Sequence, residues 1–146
     1  MESLPAKWHR KWGRSLRKRL GLPRPSPPED AQAKDADAPA LSDEARAILE
    51  TMYSGESMLG SDGELHRLDG VTNLRPALGR ILYDLHARFR PTFSVEIGLA
   101  YGFSTVFFLS AMKAGEYGRH LAIDPFQTGT WHGIGTMHAA SLGVSD

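Results

Sequence analysis

Four residues in the second half of the chain have the types and the spacing of a nucleotide site. Gly98 and Gly102 stand four positions apart, Glu96 precedes them, and Asp124 follows Gly98 by twenty-six positions. Glycine is favoured where a backbone turns sharply and must let a ligand approach without a Cβ in the way. A carboxylate at a strand end, as Asp124 would be, can accept hydrogen bonds from both hydroxyls of a ribose. The pattern therefore predicts a site for a ligand that carries a ribose.

The residues around the two glycines favour a cationic ligand over an anionic one. A dinucleotide fingerprint has a glycine pair two positions apart, which lets a helix N-terminus contact a pyrophosphate, but Ala100 fills the second of those positions. Glu96 would repel a pyrophosphate and suit a positive group. The sequence also lacks the Gly-Lys-Ser or Gly-Lys-Thr of a phosphate-binding loop. S-adenosylmethionine, with its adenosine ribose, sulfonium and ammonium, fits this pattern. The alternative is NAD, which would make the chain a fragment of an NAD-dependent oxidoreductase.

Two strands and one helix must position these residues. The run at residues 93–97 predicts a β-strand that ends at Gly98, and residues 104–114 predict a largely buried helix. A second strand is predicted at residues 120–124, where Pro125 ends it. Strand, glycine turn, helix and strand make a βαβ unit, which is right-handed and has parallel strands. The predicted fold class is α/β.

Two amphipathic helices are predicted before this unit. Ser42 is a candidate N-cap of the first, a short helix with an apolar face. The second pattern extends from residue 73 to residue 89, with Thr72 or Asn73 as its cap and Arg90-Pro91 as its stop. The remaining predictions are a loop at residues 54–70, which are rich in Gly, Ser and Asp, and one short helix at residues 136–142.

Two segments of the sequence together resemble a known enzyme family. The motif Glu-x-Gly-x-x-x-Gly-x-Ser-Thr begins at Glu96, and Ala-Ile-Asp-Pro-Phe begins at Ala122. They are similar to the class I S-adenosylmethionine-dependent methyltransferases, in particular the catechol-like O-methyltransferases and their small bacterial relatives. The resemblance covers about residues 71–127. It implies a Rossmann-like parallel sheet and methyl transfer to a small-molecule or sugar hydroxyl.

The resemblance also implies roles for the residues of the motif. Glu96 would lie near the methionine ammonium, and Asp124 would hold the ribose hydroxyls. Gly98 and Gly102 would line the methionine and the ribose, and Ser104 would add a polar contact. Outside the motif, the implied cofactor-binding residues are Val71 and Thr72, which would close over the methionine end, and Phe126, which would flank the adenine.

Members of this family have a sheet of about seven strands, whereas the pattern here ends after the second strand of the βαβ unit. We therefore expect the 146 residues to be the N-terminal portion of such an enzyme, with little activity alone. The catalytic base and the metal ligands of the catechol-like branch are expected outside this sequence, so no catalytic residue is assigned. The expected partner of the enzyme is a small-molecule methyl acceptor.

The formal net charge of zero is the sum of unlike segments. Residues 1–24 hold eight basic side chains and one acidic, a net of +7, whereas residues 25–50 hold two basic and seven acidic, a net of −5. Residues 1–40 thus predict a disordered basic leader and a linker rich in Pro, Ala and acids, followed by a partial S-adenosylmethionine-binding domain at residues 41–146. Trp8 and Trp12 among the cations are typical of a helix that binds an anionic membrane surface.

Other interpretations of the leader stay open, namely a solvated arm or a contact with protein or nucleic acid, although no specific nucleic acid is predicted. A membrane-associated protein without enzymatic activity is therefore a second alternative function. The absence of cysteine excludes disulfides, a thiolate nucleophile and Cys-ligated metals. The sequence has neither a secretory h-region nor an apolar segment long enough to span a membrane, so it predicts a cytoplasmic protein. The alternative prediction is a cytoplasmic protein that associates peripherally with the membrane.

Simpler structural roles also stay open for the motif and the histidines. The two glycines and Asp124 would suit tight turns alone, and the neighbouring aromatic residues would suit packing. His132 and His138 match no common ligand spacing, so they are predicted in a surface or substrate loop and no metal site is predicted. His86 falls on the polar side of its helix, which predicts a solvated side chain.

Overall fold

Residues 39–143 are the part of the chain that the computed structural model describes, and they form an α/β arrangement, as the sequence predicts. The leader predicted for residues 1–40, with Trp8 and Trp12, lies outside the described residues except for its last two positions. The helices and strands are, in chain order, α1 (Asp43–Ser54), β1 (Ser57–Leu59), β2 (Leu65–Arg67), α2 (Pro76–Phe89), β3 (Ser94–Ile97), α3 (Phe103–Gly115), β4 (His120–Ile123) and α4 (Ile134–Ser141).

Strands β3 and β4 pair in parallel, and α3 connects them. Ser94 lies opposite His120, and Ile97 lies opposite Ile123. Beyond the last pair, the N–H of Gly98 donates to the carbonyl of Ile123 at 2.9 Å. The βαβ unit predicted from the sequence is therefore confirmed, and its two strands end at the same edge.

The segment predicted as a loop at residues 54–70 instead contains an antiparallel hairpin. Strands β1 and β2 place Met58 opposite His66, and the turn between them is closed where Gly60 N–H donates to the Glu64 carbonyl at 2.8 Å. Each strand is only three residues long, so the turn-forming residues dominate the composition of the window. The loop prediction was wrong because an apolar pattern this short is hidden by the turn that it flanks.

Helix α2 begins three residues later than predicted. Its N-cap is Arg75, which is extended (φ −60°, ψ 141°), and Pro76 is the first helical residue. A proline ring fits the first helical position and disfavours the helical conformation of the residue before it. The caps predicted at Thr72 or Asn73 were therefore wrong. By contrast, the Ser42 cap of α1 is confirmed, since its hydroxyl accepts from the Ala45 N–H at 3.2 Å.

Helix α3 lies at the centre of the core. Side chains along most of its length are buried, and it packs against α1, α2 and α4. Helix α2 approaches so closely at Gly79 that a Cβ there would overlap the ring of Phe107. A glycine inside a helix weakens it by about 1 kcal/mol, and here it allows the close contact between α2 and α3.

The two faces of the β3–β4 sheet have opposite chemistry. Ser94, Glu96 and His120 point toward the helices, because alternate residues of a strand share a face. The other face carries Val95, Ile97, Leu121 and Ile123, all of them exposed, with Ile97 at 86%. No helix within residues 39–143 has the length and apolar character to cross a bilayer.

Candidate functional site

The turn between β3 and α3, residues 98–102, presents an open stretch of backbone. Gly98 has φ +91°, Ala100 +46° and Gly102 +88°, all in the left-handed region. A Cβ built on Gly98 would meet no atom within 4 Å, so the space beside it is free. Glycine is required at Gly98 for its backbone angle, and the free space there is compatible with a ligand.

Asp124, which follows the end of β4, stabilises this turn through hydrogen bonds. Its Oδ2 accepts from the N–H of Ala100 at 2.7 Å, and its Oδ1 accepts from the N–H of Phe126 at 2.9 Å. Gln127 Nε2 also donates to Oδ2 at 3.3 Å and to the Ala100 carbonyl at 2.8 Å. Desolvation would raise the pKa of Asp124, but the N–H donors of Ala100 and Phe126 hold it below its usual value. The group is therefore a carboxylate, and Oδ1 keeps acceptor capacity for a further donor.

Gly102 contacts α4. A Cβ on Gly102 would lie 3.2 Å from the Cα of Gly135, and a Cβ on Gly135 would lie 2.5 Å from the carbonyl oxygen of Ala100. The two glycines thus allow the start of α4 to pack on the turn. Gly102 is explained by this packing and its positive φ without a ligand, whereas the free space lies at Gly98. Gly135 was missed by the sequence analysis because its partner is distant along the chain.

Glu96 and Ser104, both predicted site residues, lie together behind the turn. The Glu96 carboxylate accepts from the hydroxyls of Ser104 and Thr105 and lies 3.2 Å from Nε2 of His120. Its side chain is only 9% exposed. Burial would raise the pKa of Glu96, but the hydrogen bonds from His120, Ser104 and Thr105 hold it below its usual value. The carboxylate therefore places a negative charge under the turn.

A buried chain of hydrogen bonds extends from Glu96 to α2. His120 Nδ1 lies 2.8 Å from Ser94 Oγ, which lies 3.1 Å from His86 Nε2. One consistent set of donors has His120 Nε2–H donating to Glu96, Ser94 donating to His120 Nδ1, and His86 Nε2–H donating to Ser94. At the other end, the single hydroxyl proton of Tyr117 can be donated either to the His86 carbonyl at 2.7 Å or to His86 Nδ1 at 3.0 Å.

The burial of His86 contradicts the solvated side chain that the sequence predicted. The polar side of α2 at this position packs against β3 and Tyr117 rather than facing water. Desolvation is the main cause that lowers the pKa of His86, and the nearby His120 adds to it. The buried residues of α2 are Gly79, Tyr83 and His86. Most of the apolar residues that repeat at helical spacing are exposed instead, namely Leu78, Ile81, Leu85 and Phe89. The helical period of α2 therefore did not identify the face that the rest of the chain covers.

Val71 and Thr72, predicted to close over the ligand, belong to a short segment tied to the turn. Asp69 Oδ1 accepts from the N–H groups of Val71 and Thr72 at 2.9 and 2.8 Å, and Asp69 N–H donates to Oη of Tyr101 at 3.3 Å. Tyr101 is a buried packing residue that meets Trp131 edge to face. Val71 is 84% exposed, so the segment offers an apolar side chain with no cover among the described residues.

Phe126 is also exposed, and its backbone organises the loop after β4. Its N–H binds Asp124, and its carbonyl accepts from the N–H groups of Thr130 and Trp131 at 2.9 and 3.2 Å. Phe126 thus lies two positions after Asp124, and its exposed ring could contact a ligand bound there.

His132 and His138, both predicted in a surface or substrate loop, have different environments. His138 is buried and donates from Nδ1 to the Tyr101 carbonyl at 2.9 Å, and burial lowers its pKa. Its prediction as a surface or substrate-loop residue was wrong. His132 is half-exposed and lies beside Asp62 and His66 of the hairpin.

Two surface grooves lie away from the turn. One, of about 420 Å³, separates α1 from α2 and is lined by residues that include Leu49, Tyr53 and Ala77. The other, of about 330 Å³, lies between α1 and α3. Neither of these two grooves is lined by a predicted cofactor-binding residue. The candidate site at the turn is instead an exposed ledge at Gly98.

Comparison with known proteins finds likeness among solved structures. No family model and no curated protein matches the chain. Among solved structures, cofactor-bound Rv0187 from MTB aligns with a TM-score of 0.48 and 19% sequence identity, over 84% of this chain and 49% of that one. The chain thus spans about half the length of that structure.

Proposed function

We propose that residues 71–127 bind S-adenosylmethionine and that the chain is part of a Rossmann-like methyltransferase acting on a small-molecule or sugar hydroxyl. One observation carries the proposal. The open backbone at Gly98 and the Asp124 carboxylate share the carboxyl edge of the parallel strands, where ligands of α/β sheets bind, and the bond from Ala100 N–H to Asp124 joins them at 2.7 Å.

The charges at this edge support a cationic ligand. Glu96 and Asp124 are both carboxylates whose pKa values lie below their usual range. Two negative charges near the turn favour a sulfonium and an ammonium and disfavour a pyrophosphate. In addition, Ala100 places a Cβ where a dinucleotide-binding turn has glycine. These features favour S-adenosylmethionine over NAD.

Some of the residues that the resemblance assigns to the cofactor have free space or a free acceptor, whereas Glu96 is already hydrogen-bonded within the protein. Asp124 Oδ1 retains acceptor capacity for a ribose hydroxyl, and Gly98 leaves space for the ligand. Glu96 instead binds Ser104 and Thr105, so it acts on a cation through its charge and by orienting the first turn of α3. S-adenosylmethionine supplies an electrophilic methyl group when bound, and the residues described here orient it rather than react with it.

Calorimetric titration of the full chain with S-adenosylhomocysteine and with NAD tests this proposal. Binding of S-adenosylhomocysteine that is tighter than binding of NAD is the expected result. Asp124→Asn should weaken that binding by about tenfold, since a ribose hydroxyl loses its charged acceptor. The matched control is Asp84→Asn on the exposed side of α2, which should bind as the parent does. Tighter binding of NAD, or binding of neither ligand, would overturn the proposal.

A further inference from the structure

Three side chains that the proposed function does not use converge between the hairpin and the loop after β4. Asp62 lies in the turn of the hairpin, His66 lies in β2, and His132 follows 66 positions after His66. One nitrogen of each imidazole and one carboxylate oxygen all lie within 4.8 Å of one another. We propose that Asp62, His66 and His132 bind a divalent transition-metal ion of the zinc type.

The donor set suits such an ion, and the donor atoms lie close to the spacing that it requires. Two imidazoles and one carboxylate are the protein ligands of many zinc sites that keep a fourth position open, whereas magnesium and calcium prefer oxygen ligands. Zinc bonds of about 2.0–2.2 Å place tetrahedral ligand atoms about 3.4 Å apart. Asp62 Oδ2 lies 2.8 Å from His66 Nε2 and 3.8 Å from His132 Nδ1. The two separations bracket the required value.

The backbone around the cluster is packed so that the three groups meet. The N–H of Ser61 donates to the carbonyl of His132 at 2.8 Å, which ties the hairpin turn to the later loop. A Cβ on Gly60 would lie 2.7 Å from both Asp62 Oδ1 and His66 Cδ2. A Cβ on Gly133 would overlap Ser61. Glycine at these two positions leaves the room in which the donors approach one another.

Metal binding requires one ring to turn. The imidazoles of His66 and His132 are stacked, with centroids 3.6 Å apart and planes 7° from parallel. A metal ion lies in the plane of each imidazole that binds it, so two parallel rings cannot direct their lone pairs at one ion. The His132 side chain is 37% exposed, so its ring is the one that we expect to turn. His66 must also carry its proton on Nδ1, which leaves Nε2 as the ligand.

An ion at this position would cross-link the hairpin to the loop that follows Asp124. Because the unfolded chain does not hold the three ligands together, binding to the folded chain alone raises its stability with the concentration of the ion. This effect does not depend on S-adenosylmethionine, so the site is testable separately from the proposed function.

The test is calorimetric titration of the metal-stripped full chain with Zn²⁺, together with the thermal midpoint at each Zn²⁺ concentration. We expect one ion per chain and a rising midpoint. Asp62→Asn, His66→Gln and His132→Gln should each lower the affinity at least about tenfold, since even the loss of a group hydrogen-bonded to a ligand costs that much. Glu64→Gln, in the same turn and exposed, is the matched control and should bind as the parent does.

Co²⁺ provides a second measurement that does not depend on the variants folding equally well. Four-coordinate Co²⁺ gives intense visible d–d bands, and such bands in the Co²⁺-loaded parent support the site. Loss of these bands in His132→Gln also supports it, provided that the thermal midpoint of this variant without metal equals that of the parent. The proposal is overturned if the parent binds no Zn²⁺, or if the three cluster variants bind it as tightly as the parent and the control.

Discussion

At the scale of single residues, Ala100 in the turn of the candidate site has a strained backbone conformation, which a hydrogen bond to the Asp124 carboxylate stabilises. Ala100 is left-handed (φ +46°), a conformation that costs an L-residue about 1–2 kcal/mol relative to the right-handed one. Asp124 offsets this cost by accepting the Ala100 N–H at 2.7 Å. The same bond joins the ends of the two strands at the ledge, so the strained residue lies where a ligand is proposed to bind.

Replacing Ala100 with glycine should relieve this strain. Ala100→Gly is expected to raise the free energy of unfolding by about 1 kcal/mol, since glycine adopts positive φ without a steric penalty. Urea denaturation measures the change. The control is Ala111→Gly, at a buried position inside α3, which should lower the free energy of unfolding by about 1 kcal/mol or more. Equal losses in both variants would show that Ala100 is not strained.

At the scale of secondary-structure elements, a chain of polar contacts joins β3 and β4 to the helices. The chain from Glu96 through His120 and Ser94 to His86 is sheltered from water, and the side chain of His120 is only 3% exposed. Every buried side-chain nitrogen and oxygen atom of residues 39–143 has a hydrogen-bond partner. A fully satisfied network of this kind specifies one arrangement of its elements, because losing any member leaves others unpaired.

Ser94 connects His86 to His120, so replacing it tests this network most directly. Ser94→Ala should lower the free energy of unfolding by about 1–3 kcal/mol, because His86 and His120 each lose a partner in a site that excludes water. The control is Ser141→Ala at the end of α4, whose exposed hydroxyl bonds only the Met137 carbonyl. That change should be within about 0.5 kcal/mol of the parent. A loss for Ser94→Ala as small as the control would contradict the network.

At the scale of the whole molecule, buried titratable groups make stability depend on pH. His86 and His138 have pKa values lowered mainly by burial, from a usual value of 6.5. The unfolded chain therefore binds protons that the folded chain excludes, and the folded state loses stability as the pH falls below about 6.5. Glu96, Asp69 and Asp124 also have lowered pKa values, so a second loss begins as the pH falls below the usual carboxyl range, about 4.

Urea denaturation at pH 7.5, 5.5 and 3.5 measures both losses. We expect the free energy of unfolding to fall at each step toward acid. His138→Gln should reduce the first step specifically, since an amide can still donate to the Tyr101 carbonyl but does not titrate. A free energy of unfolding that is constant between pH 7.5 and 5.5 would contradict the burial of neutral histidines.

Local and periodic features could be predicted from the sequence by itself. The βαβ unit followed from its apolar runs and glycines, and the cap at Ser42 followed from side-chain chemistry three residues from its target. The placement of Gly98 and Asp124 at one edge followed as well, because parallel strands joined by one helix end on the same side. Each of these depends on interactions within an element or between consecutive elements.

Only the tertiary structure decided what each face meets. The burial of His86, the close approach of Gly135 to the turn at Ala100, and the meeting of His66 with His132 all depend on partners far along the chain. Glu96 likewise contacts Ser104, Thr105 and His120 because of the register of β4 and the packing of the first turn of α3 on the strands, which no residue pattern encodes. Sequence period shows which residues share a face, whereas packing of the chain against itself determines whether that face is covered and by which partner.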